Sequence, residues 1–215
     1  MSEIRQRPRG REAQRLETRQ RVLDAAVAEY RRTGMAEADL AAIVAEAKVA
    51  RGTFYFHFPT KEHVLLELEA SEEARVAREL AEFLRTPRDL ASALAETIAL
   101  VVALEQRLGK LLFKDLLAVH FSPTRPLTDE WREHPVIVLV AGIIERAGES
   151  GEAELAVDPY HSAVFFLLGL YGLLTTTTDA RALRASVLDS YLTTVLRGLE
   201  PRTPHAPNAS GDRHD

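Results

Sequence analysis

Arg51, Gly52, Thr53, Tyr55 and His57 stand in one short run, and Lys61 follows four residues later. These types suit the binding of a polyanion better than the making or breaking of bonds. Arg51 can fork onto a guanine edge or a phosphate, and Gly52 lets the backbone come close. Thr53 offers a hydroxyl to phosphate and a methyl to thymine, while Tyr55, His57 and Lys61 have the reach for phosphate oxygens. Lys48, just upstream, can add one more phosphate contact. A buried core aromatic is the competing role for Tyr55, and His57 alone would be read as structural. The string as a whole points to nucleic acid.

Bond chemistry finds little support. The chain has no phosphate-binding glycine loop, no GxGxxG and no GxSxG. With no cysteine, thiolate zinc sites, thiol nucleophiles and disulfides are excluded. Asp158 and His161 form a single carboxylate-x-x-His, whereas a di-iron bundle needs two Glu-x-x-His motifs and two further glutamates. The seven histidines are scattered. His120 and His134 flank a loop and can approach each other, but satisfied polar groups explain them more simply. No enzyme activity, cofactor or metal site is expected.

The elements that must carry the basic string are helical. Ala and Leu are abundant, Gly and Pro are sparse outside the termini, and no hairpin signal interrupts the chain. Residues 1–11 lack apolar period and read as a flexible basic arm. Leu16, Arg19, Leu23, Ala26, Val27 and Tyr30 then recur at helical spacing up to a terminating Gly34. Asp39 caps a short helix with Leu40, Ile43, Val44 and Ala47 inward, and a second short helix covers 50–57. Two short helices on a tight turn behind a longer one make a helix-turn-helix. Thr60 can cap a long helix from Lys61 to about Arg85. Further helices are expected at 88–106, 108–120, 129–146, 159–178 and 180–199. Pro135 either kinks the helix at 129–146 or marks its true start. Residues 201–215 read as a disordered tail.

Charge is unevenly placed along this order. Residues 1–63 hold 12 Lys and Arg against 9 Asp and Glu, and the remainder holds 15 against 23, so a front of +3 precedes a body of −8 within the net −5. A basic head on an acidic body suits a protein that presents one end to phosphates, although a solvated arginine-rich tail accounts for the same numbers. No apolar run is long enough to span a bilayer, and the arginine-rich start is not a secretory signal. A cytoplasmic location without membrane partners fits these features.

Residues 18–65 resemble the DNA-binding domain of the tetracycline-repressor (TetR) family. The match runs through Val22, Leu23, Ala25, Ala26, Gly34, Ile43 and Ala47. It is densest at Arg51-Gly52-Thr53-Phe54-Tyr55-Phe56-His57-Phe58 and Thr60-Lys61-Glu62. Looser agreement continues at Gly148, Gly151-Glu152, Asp158-Pro159, Gly169 and Gly172. The resemblance implies that Thr53, Tyr55, His57 and Lys61 contact DNA, while Phe54 and Phe58 pack the third helix. The sequence departs from the family at Lys48, where Gly is usual, at Ala50, where Ser or Thr caps the recognition helix, and at Val44. A turn of the family type puts Lys48 at positive φ.

The resemblance implies an all-α protein of about nine helices. Residues 12–60 would form a three-helix DNA-binding domain, and 61–200 a helical ligand-binding and dimerisation domain. The expected function is a homodimeric transcriptional repressor, released from a palindromic double-stranded operator by a small apolar or aromatic effector. The alternative is a helical ligand-binding or interaction protein with a weakened DNA-binding head, for which Lys48 and Ala50 argue. Helix 108–120 is apolar over most of its surface and must be surrounded. Its Phe113, Leu117 and His120 are expected to line a pocket. Ile98 and Val102 would come from the preceding helix, Trp131 from the following one, and Phe165, Leu168 and Tyr171 from helix 159–178. His120 and Tyr171 would be its polar groups, and a solid core is the competing arrangement. The apolar surplus of the last two helices, with Val164, Leu188, Leu192 and Leu196, suggests the dimer face, where Gly169 and Gly172 would permit close approach.

Overall fold

The computed structural model describes residues 10–122, 134–176 and 181–199, and all regular structure there is α-helical. Nine helices are seen: α1 Gly10–Thr33, α2 Leu40–Glu46, α3 Arg51–His57, α4 Lys61–Phe83, α5 Leu90–Leu108, α6 Lys110–His120, α7 Pro135–Glu149, α8 Pro159–Thr176 and α9 Arg181–Leu199. The basic arm up to residue 9 and the tail beyond 200 lie outside the described residues. None of the described helices is long and apolar enough to cross a membrane.

The head is closed by apolar side chains at helical spacing. Val22, Ala26 and Tyr30 of α1 meet Ile43 of α2, Phe54 of α3, and Phe58, Val64 and Leu65, all buried. Leu16 is half-exposed, so the inward stripe of α1 begins later than its spacing suggests. Arg19 lies on the inner side and acts as a bolt. Its guanidinium stacks 4.3 Å over the Phe58 ring, donates to the His57 carbonyl at 2.6 Å and pairs with Glu67 of α4. Gly34 ends α1 at φ +79, donating its N–H to Tyr30 O at 2.8 Å.

The body is a helical bundle on the same continuous core. α4 leaves the head and packs on α5, α6 and α7, while α7 lies along α8. Asp89 caps α5 by accepting from Ser92 N–H at 2.7 Å. Gly109, at φ +79, separates α5 from α6. Pro135 occupies the first turn of α7, where its missing N–H costs nothing, so it marks the start of the helix rather than a kink. Asp158 caps α8 through the N–H groups of Tyr160 and His161. Thr60 does not cap α4 by its side chain; its hydroxyl meets His63 Nδ1 at 3.0 Å instead.

The two glycines of α8 differ in their surroundings within the chain. A Cβ on Gly169 would stand 2.6 Å from the Tyr191 hydroxyl of α9 in the same chain, and one on Gly172 would meet nothing. Gly169 therefore admits Tyr191, whose ring stacks on Phe166 at 5.8 Å. It serves packing within the chain.

Candidate nucleic-acid interface and ligand cavity

The turn between α2 and α3 decides how the recognition helix is presented. Ala47 ends α2, and Lys48 follows at φ 54. Lys48 N–H donates to Ala45 O at 3.2 Å and Val49 N–H to Val44 O at 3.0 Å. Those paired bonds around a left-handed residue are a Schellman closure. The position is one where glycine is favoured, and Lys48 holds it at a steric cost. Ala50 supplies no side-chain cap to α3. The backbone of the turn is thus built without either of the residue types that suit it best.

α3 divides cleanly into faces. Phe54 is fully buried, edge-on to Tyr55 and tilted at 45° to Phe58. Arg51, Gly52 and Tyr55 face outward, with Tyr55 46% exposed and therefore no core aromatic. Thr53 and His57 are half-buried at its flanks. The His57 imidazole is held below its ordinary value by desolvation, then by the Arg19 and Arg15 guanidiniums. Lys61 departs from the expected phosphate role. Its ammonium donates to the carbonyls of Met35, Ala36 and Ala38 at 3.1, 3.3 and 2.7 Å. An ammonium has three N–H donors, so all are used in bracing the α1–α2 loop.

A cavity of about 60 Å³ lies between α4, α5, α6, α7 and α8. Phe113, Leu117 and His120 line it as expected, together with Leu168 and Tyr171. The Phe113 and Tyr171 rings meet edge-on at 6.5 Å. Four expectations need correction. Ile98 and Val102 stand off the cavity, and α5 contributes Val101 and Leu104 in their place. Phe165 points outward, 62% exposed, with its ring stacked on His161 at 6.4 Å. Val164, assigned to the dimer face, lines the cavity. Trp131 lies outside the described residues.

The fuller surprise is the α4 wall. Glu69, Glu72 and Glu73 line the cavity, so its polar side is acidic rather than limited to His120 and Tyr171. Glu72 is paired with Arg107 of α5 at 2.7 Å, and Glu73 with His134 Nδ1 at 2.9 Å. Glu69 meets His120 Nδ1. The two imidazoles do approach each other, with ring centroids 5.3 Å apart. The Tyr171 hydroxyl is pushed far up, by desolvation first and then by the Glu73 and Glu69 charges, so it stays a neutral phenol. The wall lies along the inner side of α4. Leu65, Val76 and Leu80 mark one buried stripe of α4, and the glutamates occupy the turns between them.

Residues 22–68 match the family model of bacterial regulatory proteins, tetR family. No curated protein matches the chain. Solved structures share the fold. Thermus thermophilus FadR, a TetR family repressor in complex with lauroyl-CoA, is 24% identical, with a TM-score of 0.66 over 88% of this chain and 99% of its own. SmeT, repressor of the Stenotrophomonas maltophilia multidrug efflux pump SmeDEF, is 21% identical, with a TM-score of 0.60 over 93% of this chain and all of its own. RolR in complex with resorcinol is 19% identical, with a TM-score of 0.66 over 87% of this chain and 90% of its own. Residues 22–68 thus match the DNA-binding region of the tetR family of bacterial regulatory proteins, and the described helices as a whole share the all-α fold of these solved structures.

Proposed function

We propose that the protein is a homodimeric repressor whose α3 reads a palindromic operator and whose body releases the DNA when a small apolar or aromatic molecule enters the cavity. Residues 12–60 serve as the DNA-binding unit and 61–200 as the regulatory and dimerisation unit. Lys48, Arg51, Gly52, Thr53, Tyr55 and His57 form the DNA face.

One observation carries the coupling. α6 has the cavity on one side and the head on the other. Phe113, Leu117 and His120 face the cavity. On the opposite side Asp115 accepts from Met35 N–H at 2.6 Å, and the Leu108 carbonyl, just before α6, accepts from Arg31 at 3.2 Å. Arg31 lies in the last turn of α1 and Met35 in the loop just after it. A drug-sized ligand needs roughly 300–1,000 Å³, so binding must widen the cavity and displace α6. The same displacement would act on α1 and reorient the head. The ligand weakens operator binding only to the degree that it prefers the widened state.

Selection of bound DNA from a random pool, using the full chain, tests the first half. Recovery of a two-fold symmetric site, released by an apolar ligand, supports the reading. The rival, a ligand-binding protein with a weakened head, is favoured by Lys48 at positive φ and the uncapped α3. It would stand if no sequence were enriched.

A further inference from the structure

The cavity is too small to hold an effector by itself. A dry cavity of about 150 Å³ takes one benzene ring, and this one has about 60 Å³. Space continues on its outer side. A surface groove of about 440 Å³ runs between α6 and α8. Leu117, Phe121, Leu168 and Tyr171 line both the groove and the cavity, so one layer of side chains divides them. Together the two volumes fall within the roughly 300–1,000 Å³ of small-molecule sites.

The dividing layer forms an apolar path. The Tyr171 ring stands 6.5 Å from Phe113, which is buried, and 6.5 Å from Phe121, which is 41% exposed. Three rings in a row thus lead from the core to the surface. The path runs between two helices whose backbone groups are paired within each helix, so an apolar molecule passing along it meets no orphaned N–H or C=O. The outer end is open. Ala118 is small, and a Cβ on Gly172 would meet nothing within 4 Å. Lys114 and Thr175 form the polar rim. The Thr175 hydroxyl already faces the Tyr171 and Gly172 carbonyls at 3.0 and 2.9 Å, which leaves the exposed Lys114 ammonium as the side-chain donor of the rim.

We propose that the groove between α6 and α8 is the mouth and outer half of the effector site. The effector is an extended apolar molecule whose leading end passes Phe121 and Tyr171 into the cavity and whose oxygen-bearing end stays at the rim beside Lys114. This rests on the ligand-released reading above and supplies its motion, because seating such a molecule parts α6 from α8 at the shared layer. A compact molecule that ends within the cavity leaves the groove empty and gains less burial.

The straight-chain alcohols n-butanol, n-hexanol, n-octanol and n-decanol, titrated calorimetrically into the full chain, test it. Affinity for the parent should rise about fourfold per methylene and keep rising through n-decanol. Ala118→Trp fills the groove from α6 and Gly172→Leu fills it from α8, and neither residue lines the cavity. Each variant should bind n-decanol at least about tenfold more weakly than the parent while n-butanol binding stays within about threefold. If one of them melts early, the other carries the comparison. Val164→Phe, at a residue lining the cavity but not the groove, should weaken all four alcohols. Undiminished n-decanol binding by the groove variants overturns the groove as part of the site and leaves ligand release standing. n-Decanol binding that Val164→Phe leaves unchanged overturns the passage from groove to cavity. Absence of binding and of any thermal shift with all four overturns the mouth and the cavity as a ligand site together.

Discussion

Lys48 holds a backbone conformation that costs an L residue roughly 1–2 kcal/mol, and it does so inside a complete Schellman closure. Gly would relieve that strain and give back roughly 0.5–1 kcal/mol through the freer unfolded chain. Lys48→Gly should therefore stabilise the protein by about 0.5–1 kcal/mol, read as a rise in melting temperature. If the ammonium also touches a phosphate, the same variant should bind operator more weakly, with a salt slope smaller by about one. Stability and affinity moving in opposite directions would separate the two roles; a lower melting temperature would show that the left-handed residue is not strained. Ala50→Ser supplies the missing cap and should add about 0.5–2 kcal/mol. His57 gives a pH signature. Its folded value lies below the ordinary one, so the folded protein binds fewer protons there than the unfolded chain. The contribution to stability is present above the ordinary value and is lost as pH falls through the depressed one. A phosphate opposes Arg19 and Arg15 and draws a proton onto the ring. Operator affinity should then strengthen as pH falls from about 8 to about 6, and His57→Gln should flatten that slope. Fluorescence anisotropy at fixed ionic strength reads both, and parallel profiles for the two proteins would remove His57 from the interface.

At the scale of elements, α6 is the piece on which the proposed coupling turns. Asp115→Ala removes the acceptor for Met35 N–H without touching the cavity lining. The expected result is operator binding close to that of the parent but a blunted response to ligand, seen as a smaller ligand-induced change in affinity. A variant released as readily as the parent would place the coupling elsewhere, with α4 the next choice because it runs from the head core into the acidic wall. The helices themselves were largely legible in the sequence. Apolar spacing locates the nine helices of the described residues, and Gly34, Asp39 and Asp158 behave as turn or cap residues for stated physical reasons. Faces were less legible than spans. Lys61 has the right type for phosphate, yet three carbonyls of a loop distant in sequence claim it. Most Glu on a helix is solvated, and only the packing of α6, α7 and α8 on that stretch turns the α4 glutamates inward. Tertiary placement of a polar side chain is a long-range property, and local periodicity carries little of it.

For the whole molecule the question is which surface joins two copies. Leu188, Leu192 and Leu196 were the expected contacts, but each is half-buried against its own core. Glu at Leu192 would thus damage the subunit as well as any interface. The outward surfaces differ. On α8, Phe165 and Leu168 are exposed at 62% and 42%. On α9, Ala182, Ala185, Ser186, Ser190 and Thr193 are small and outward, a surface over which another helix can come close. In the proposed dimer a two-fold axis through α8 and α9 would cover both sets, and a palindromic operator would require the two α3 helices to stand about 34 Å apart, one turn of duplex. Phe165→Glu and Ser190→Trp attack these faces from outside the cavity and outside the core. Each should leave the melting temperature of the subunit nearly unchanged and convert the dimer to monomer in sedimentation velocity. Operator affinity should fall in step, because one head alone contacts half as many phosphates and loses the gain from simultaneous engagement. A parent chain that sediments as a monomer, or variants that remain dimeric, would move the interface off α8 and α9 and with it the spacing of the two DNA heads.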